Sequence, residues 1–192
     1  MVQIRSELKR VEILRRAAGV FRRKGFHRAG MREIARGLDM APGALYYYFE
    51  SKEDLLYACQ MLSLKGLLRD ARRILRSDTS PQEKLRDLVR SHLGHILDEV
   101  GGGLAHIEFH ALPKARLDEV VERRDAYERI LRRVIREGVG SGEFRRVDPK
   151  LASLAILGAL NWTVVWWRPE GKQQLPVVAG QFAEIMIEGL RK

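Results

Sequence analysis

Apolar residues recur along this chain with the period of an α-helix, and glycines, prolines and capping residues cut the pattern into pieces. Val11, Leu14, Ala18 and Phe21 make one apolar stripe, and Gly25 ends it. Met31, Ile34, Ala35 and Leu38 face one way over a second, short piece. Asp39-Met40-Ala41 breaks the pattern, and Pro42 suits the first position of a third helix with Leu45, Tyr46 and Phe49 on one side. Ser51-Lys52-Glu53-Asp54 resembles a capping box and opens a long helix through Leu55, Leu56, Leu62, Leu67, Leu68 and Ile74. Ser80-Pro81-Gln82-Glu83 joins an N-cap, an N1 proline and an N3 acid, and predicts a helix to about Glu99. Gly101, Gly102 and Gly103 then interrupt the chain, and a shorter piece runs from Leu104 to about Ala111. Residues 114–137 are charged and amphipathic, with Gly138, Gly140 and Gly142 expected to terminate them. Asp148-Pro149 opens a helix over 149–167, Arg168-Pro169-Glu170-Gly171 makes a turn, and a last helix covers 174–190. No strand-like alternation of useful length appears. The expectation is an all-α fold of about nine helices: three in a compact head, residues 1–54, and six in a body, residues 55–192.

The head has the spacing of a helix-turn-helix, over about residues 30–49. Its break needs one residue that tolerates a left-handed backbone, and Asp39 is acceptable there. Met40 is expected as an apolar plug between the two helices. Ala41, Pro42, Gly43 and Ala44 are small and permit a close approach to DNA. Leu45 and Phe49 anchor the helix inward, Tyr47 and Tyr48 point outward, and Tyr46 lies along the boundary. Three adjacent tyrosines cannot all face one core. A tyrosine hydroxyl can bind phosphate, and its ring can pack on sugar or a thymine methyl. Lys52 stands at the N-terminus of the next helix, where free amides also favour phosphate.

Charge sharpens this reading. The 192 residues carry a net +10, and residues 1–36 hold eleven Lys/Arg against three Glu, a local +8. Such a balance favours a polyanionic partner, nucleic acid or an anionic membrane. Arg28 and Arg32, with Arg5, are expected phosphate contacts. The single cysteine, Cys59, excludes an internal disulfide framework and a cysteine-built zinc cage. The charged N-terminus has no apolar stretch of a secretory signal, so a cytoplasmic address is expected.

Residues 13–56 resemble the DNA-binding head of the TetR family of bacterial repressors. The matching positions include Ala17, Ala18, Phe21, Gly25, Phe26, Ile34, Ala35, Gly43, Leu45, Tyr46, Tyr48, Phe49, Ser51, Lys52, Leu55 and Leu56. The chain departs from the family pattern at Gly30, where Ser or Thr usually caps the second helix, at Asp39, where the turn usually has Gly, and at Ala41, where Ser is usual. The resemblance implies a fold of nine or ten helices, a dimeric ligand-binding body and a palindromic operator in double-stranded DNA.

Leu151–Trp167 is a run of seventeen uncharged residues, short of the roughly twenty that span a membrane. A helix apolar all round must be buried by something. The expectation is a homodimer through helices 149–167 and 174–190, with Ala152, Ala155, Gly158 and Ala159 allowing close approach. The Asn161-Trp162 pair and the Trp166-Trp167-Arg168-Pro169-Glu170-Gly171 string resemble a branch of the family that responds to acyl-CoA thioesters. That resemblance implies a small hydrophobic effector, with an acyl-CoA as its sharper form. Its expected contacts are His106, Phe109, His110, Asn161, Trp162, Trp166 and Arg168: tryptophans as apolar wall, Arg168 for a phosphate.

Two alternatives stay open at this point. His92/His95 or His106/His110 suit a metal-responsive regulator, although no third ligand is in sight and no metal is expected. A helical binding protein or enzyme with no DNA role is the other. Against catalysis stands the lack of a Gly-rich phosphate loop, a G-x-S-x-G elbow or paired carboxylates, and no cofactor is expected.

Overall fold

The computed structural model describes residues 2–97 and 108–192. Among them are eight α-helices: α1 (Val2–Lys24), α2 (Met31–Arg36), α3 (Pro42–Tyr48), α4 (Lys52–Leu75), α5 (Pro81–Leu97), α6 (Lys114–Ser141), α7 (Pro149–Trp166) and α8 (Leu175–Leu190). A 3₁₀ turn, Glu108–Ala111, precedes α6. The described part of the expected sixth helix is therefore that turn, and the Gly101–Gly103 break lies outside the described residues. Among the described residues there is no strand, only an isolated bridge between Phe144 and Arg191. No described helix is long and apolar enough to cross a membrane.

Two compact units divide the fold. The first holds residues 2–63 and 108–120, and the second holds Leu64–Leu97 with Val121–Lys192.

In the first unit, α1 turns Ile13, Leu14, Ala17, Ala18 and Phe21 inward against Phe26, Ile34, Ala35, Leu45, Phe49, Leu55 and Leu56, all buried. Gly25 ends α1 with φ of 79°, a left-handed conformation that costs glycine least. Phe26 then folds back onto Phe21, with ring centroids 5.5 Å apart. Cys59 is buried here, its thiol against the Leu14 carbonyl at 3.7 Å. Burial pushes that thiol up to about 12, so it packs as an inert small side chain.

The second unit is built around α5, which packs on α8 and α7. Leu85, Leu88, Val89, Leu93 and Ile96 of α5 meet Leu131, Val134 and Ile135 of α6, Ile156 and Leu160 of α7, and Val178, Ala183 and Ile187 of α8 in one core. The expected caps form. Ser80 Oγ accepts from Glu83 N at 3.2 Å, and Glu83 accepts from Ser80 N at 3.0 Å. Asp148 accepts from Lys150 N and Leu151 N ahead of Pro149. One boundary differs from expectation. Gly138 and Gly140 do not stop α6, which runs on to Ser141 and ends at Gly142, φ 79°. Gly138 has a packing role instead, because the buried Phe144 ring occupies the space a Cβ would need.

Candidate nucleic-acid interface and effector residues

The turn between α2 and α3 is made as its chemistry requires. Asp39 has φ of 52°, and it is the one described non-glycine residue with positive φ. Met40 N donates to the Ala35 carbonyl at 3.0 Å and closes the turn, while the Met40 side chain is half-buried as the plug. Neither Gly30 before α2 nor Ala41 before α3 caps its helix with a side chain. Glu33 N and Ala44 N turn instead to the backbone carbonyls of Gly30 and Ala41, at 3.0 Å each.

Helix α3 stands on Leu45 and Phe49, both fully buried. Ala41, Pro42, Gly43 and Ala44 are all exposed along its leading end. Tyr47 is 83% exposed and Tyr46 is 50% exposed. Tyr48 is half-buried, its ring edge-on to Tyr47 at 5.2 Å. The boundary tyrosine is therefore Tyr48, and Tyr46 belongs to the open face, the reverse of the expected order. The cause is the position of the anchor: Tyr48 lies three residues after the buried Leu45, on the same side of a helix of about two turns.

Around α3 the cations have defined tasks. Arg28 Nε donates to the Lys24 carbonyl at 3.2 Å and is exposed, as is Arg32. Lys52 Nζ donates to the His27 carbonyl at 3.2 Å and lies 4.4 Å above the Phe26 ring, so it braces the chain after α1 as well as presenting charge. The Ser51 hydroxyl accepts from Asp54 N at 3.0 Å and starts α4.

The expected effector residues fall in both units. Phe109 and His110, in the first, lie on the 3₁₀ turn with rings 4.0 Å apart. His106 lies outside the described residues. In the second, Asn161 Oδ1 meets His92 Nε2 at 3.2 Å. His92 is buried beside Tyr127, and its Nδ1 has no partner among the described residues. Burial, only partly offset by the Asn161 bond and reinforced by Arg124 and His95, pulls its pKa down to about 4, so the ring is neutral at pH 7. Trp162 is 63% exposed on the outer side of α7. Trp166 is exposed too and stacks on Phe182 at 6.1 Å. Arg168 folds its Nη1 back onto the Val165 and Trp167 carbonyls and closes the end of α7.

The two histidines of α5 diverge. His95 pairs with Asp70 at 2.7 Å while His92 turns to Asn161. Partial burial pushes the Asp70 carboxyl up, and its bonds to His95 and Arg69 more than offset that, leaving it below its usual range. Among the described residues, no group of three or more His, Cys, Asp or Glu stands together to hold a metal ion.

Two family models match this architecture. One, described as bacterial regulatory proteins of the tetR family, matches residues 13–59. The other, a tetracyclin repressor-like C-terminal domain, matches residues 78–190, more than half of the chain. The chain belongs to the TetR family. It is a TetR-family transcriptional regulator, and its relatives extend the likeness over nearly its whole length. A fatty acid metabolism regulator protein of Bacillus subtilis is 25% identical over 95% of both chains. The TetR-family transcriptional regulator PfmR of Thermus thermophilus is 32% identical, with a TM-score of 0.84 over 94% of this chain and 99% of its own. The ketosteroid transcriptional regulator KstR2 of Mycobacterium tuberculosis is 27% identical, with a TM-score of 0.87 over 96% and 95%.

Within the first unit of this TetR-family chain, sequence reasoning missed two positioning residues. Arg10 donates to the Tyr48 carbonyl at 3.2 Å and lies 4.4 Å over the Phe49 ring, so it holds the end of α3. Arg116 pairs with Asp54 at 3.0 Å and stands 5.1 Å over Tyr57, whose hydroxyl donates to Glu119. Neither pairing has a local signal, because each joins positions tens of residues apart.

Proposed function

We propose that this protein is a homodimeric repressor that sets α3 of each protomer in the major groove of a palindromic operator. The observation that carries this reading is the form of α3. It presents a leading end of small exposed residues and two exposed tyrosines, on a base that is fully buried. Ala41, Pro42, Gly43 and Ala44 would let the backbone near the groove, and Tyr46, Tyr47 and Tyr48 would touch sugar, phosphate or base edges. Arg28, Arg32 and Lys52 would neutralise flanking phosphates. In this proposal residues 1–54 are the DNA-binding domain and residues 55–192 bind the effector and dimerise. The protein acts in the cytoplasm and catalyses no reaction.

The effector we propose is a small hydrophobic molecule, specifically an acyl-CoA. The name of the Bacillus relative and the Asn161 to Gly171 string support that choice. Asn161 and the neutral His92 beside it offer polar contacts in an apolar interior. Trp166 and Arg168 of the same unit are the remaining proposed contacts, and Trp162, on the outer side of α7, is left to the dimer face. Release requires that the effector bind the DNA-incompetent state more tightly than the DNA-bound one.

Selection of genomic fragments by the purified protein, with and without long-chain acyl-CoAs, tests both parts. An enriched palindrome that disappears with acyl-CoA is the expected result. A palindrome indifferent to acyl-CoA would remove the effector and keep the repressor. No enriched sequence at low salt would overturn the DNA reading.

A further inference from the structure

The second unit carries a groove that neither the proposed operator contacts nor the proposed effector contacts use. It has a volume of about 590 Å³ and lies between the last turns of α4 and the middle of α6. Arg72, on the last turn of α4, and Arg76, just past its end, line it from one side, and Arg129 and Arg133 line it from α6, over a floor that includes Leu75 and Ile130. Like charges four residues apart on a helix repel each other, and Arg129 and Arg133 of α6 are such a pair. No acid lines it.

Two of the neighbouring acids on α6 have partners of their own. Glu128 accepts from the Ser153 hydroxyl at 2.6 Å and pairs with Arg132 at 3.4 Å. Glu137 pairs with Arg133 Nε at 2.9 Å and Lys84 at 3.9 Å, which leaves the two terminal nitrogens of Arg133 for the groove. Other arginines of the same unit meet carboxylates: Arg86 with Glu184 at 2.9 Å, Arg191 with Glu188 at 2.7 Å. Arg72, Arg76 and Arg129 make no such pair among the described residues. Three guanidinium groups outside any ion pair among the described residues, and part of a fourth, thus line one concave, partly apolar surface.

We propose that this groove binds a polyphosphate-bearing ligand of the nucleotide class. Guanidinium forks take phosphate oxygens two at a time, and the apolar floor takes the flat body of a base. The volume lies in the range of small-ligand sites. This inference does not depend on the operator reading.

Calorimetric titration of the whole chain with ATP, and separately with inorganic tripolyphosphate, at low salt tests it. Because the head is basic too, two variants locate the heat: R76E/R129E in the groove and R15E/R23E on α1. The expected result is one ATP per chain, weakened about tenfold or more by R76E/R129E and unchanged by R15E/R23E, with tripolyphosphate binding the same site more weakly. R76Q/R129Q, which removes charge without reversing it, gives an intermediate loss and carries the test if the reversal unfolds the protein. Absence of heat with both probes, binding that survives in both groove variants, or loss confined to the head variant would overturn the proposal. Tripolyphosphate binding as tightly as ATP would overturn the role given to the apolar floor. Displacement of ATP by random-sequence duplex DNA, abolished in R76Q/R129Q, would make the groove a nucleic-acid surface and overturn the nucleotide assignment.

Discussion

Tyr47 projects almost wholly into solvent, while Leu45, two positions before it, is fully buried. A side chain in that position contributes little to folding and much to whatever the helix touches. Tyr47→Ala should leave the melting temperature nearly unchanged, since exposed positions shift stability by roughly half a kcal/mol or less. It should weaken binding to a selected operator about tenfold, the value of one lost hydrogen bond to a charged group. Fluorescence anisotropy with a labelled duplex measures this. His92 makes the opposite kind of prediction. Its pKa is depressed to about 4 in the fold against 6.5 in the open chain, so between those values the unfolded state binds more protons. Stability is then full above pH 6.5 and is lost as pH falls toward 4, by roughly 3 kcal/mol if the whole shift is expressed. Urea midpoints measured at pH 7 and pH 4.5 should converge in His92→Gln, which keeps a polar partner for Asn161 and removes the titration.

The short elements of the head were legible because their signals are local. Pro42, the left-handed break at Asp39 and the Leu45/Phe49 pair fix α3 within a dozen residues. The order of exposure among Tyr46, Tyr47 and Tyr48 was not legible, because the helix is too short for periodicity to set its phase against the core. The Arg10 and Arg116 contacts were hidden for a different reason: each depends on the tertiary path bringing distant positions together. Helix α6 shows the same limit. Three glycines in a row of five positions read as a stop, yet two of them continue the helix, and only the ring of Phe144 explains Gly138. Gly138→Ala should therefore destabilise the protein by about 3 kcal/mol, an overpacking cost, whereas Gly140→Ala, with nothing near its added methyl, should be neutral or stabilising. Thermal melts of the two variants check the contrast.

Across the whole molecule the unsatisfied feature is apolar. Leu151, Leu154, Trp162 and Val165 on α7 recur at the spacing of one helix face and remain exposed, joined by Val177 and Ile185 of α8. The small Gly158 lies in the same row, also exposed. Exposed apolar rows of this kind mark protein interfaces, and a two-fold pairing would bury each against its copy. Leu151 is 67% exposed and Ile185 is 64% exposed, so Leu151→Glu with Ile185→Glu should leave the fold intact and yield a monomer in sedimentation equilibrium. The composition of residues 151–167 announced a buried helix, but which of its faces stays open follows only from the packing of α5 and α8 against the other.

Operator recognition rests on two copies of α3 meeting one duplex. Hydroxyl-radical footprinting of a selected operator with the purified protein addresses this directly. Two protected windows related by a two-fold axis, spaced by a whole number of helical turns of about ten base pairs, both weakened with Tyr47→Ala at concentrations that just saturate the parent, are the predicted result. A single window, or protection that spreads evenly along the fragment and is indifferent to Tyr47, would contradict it.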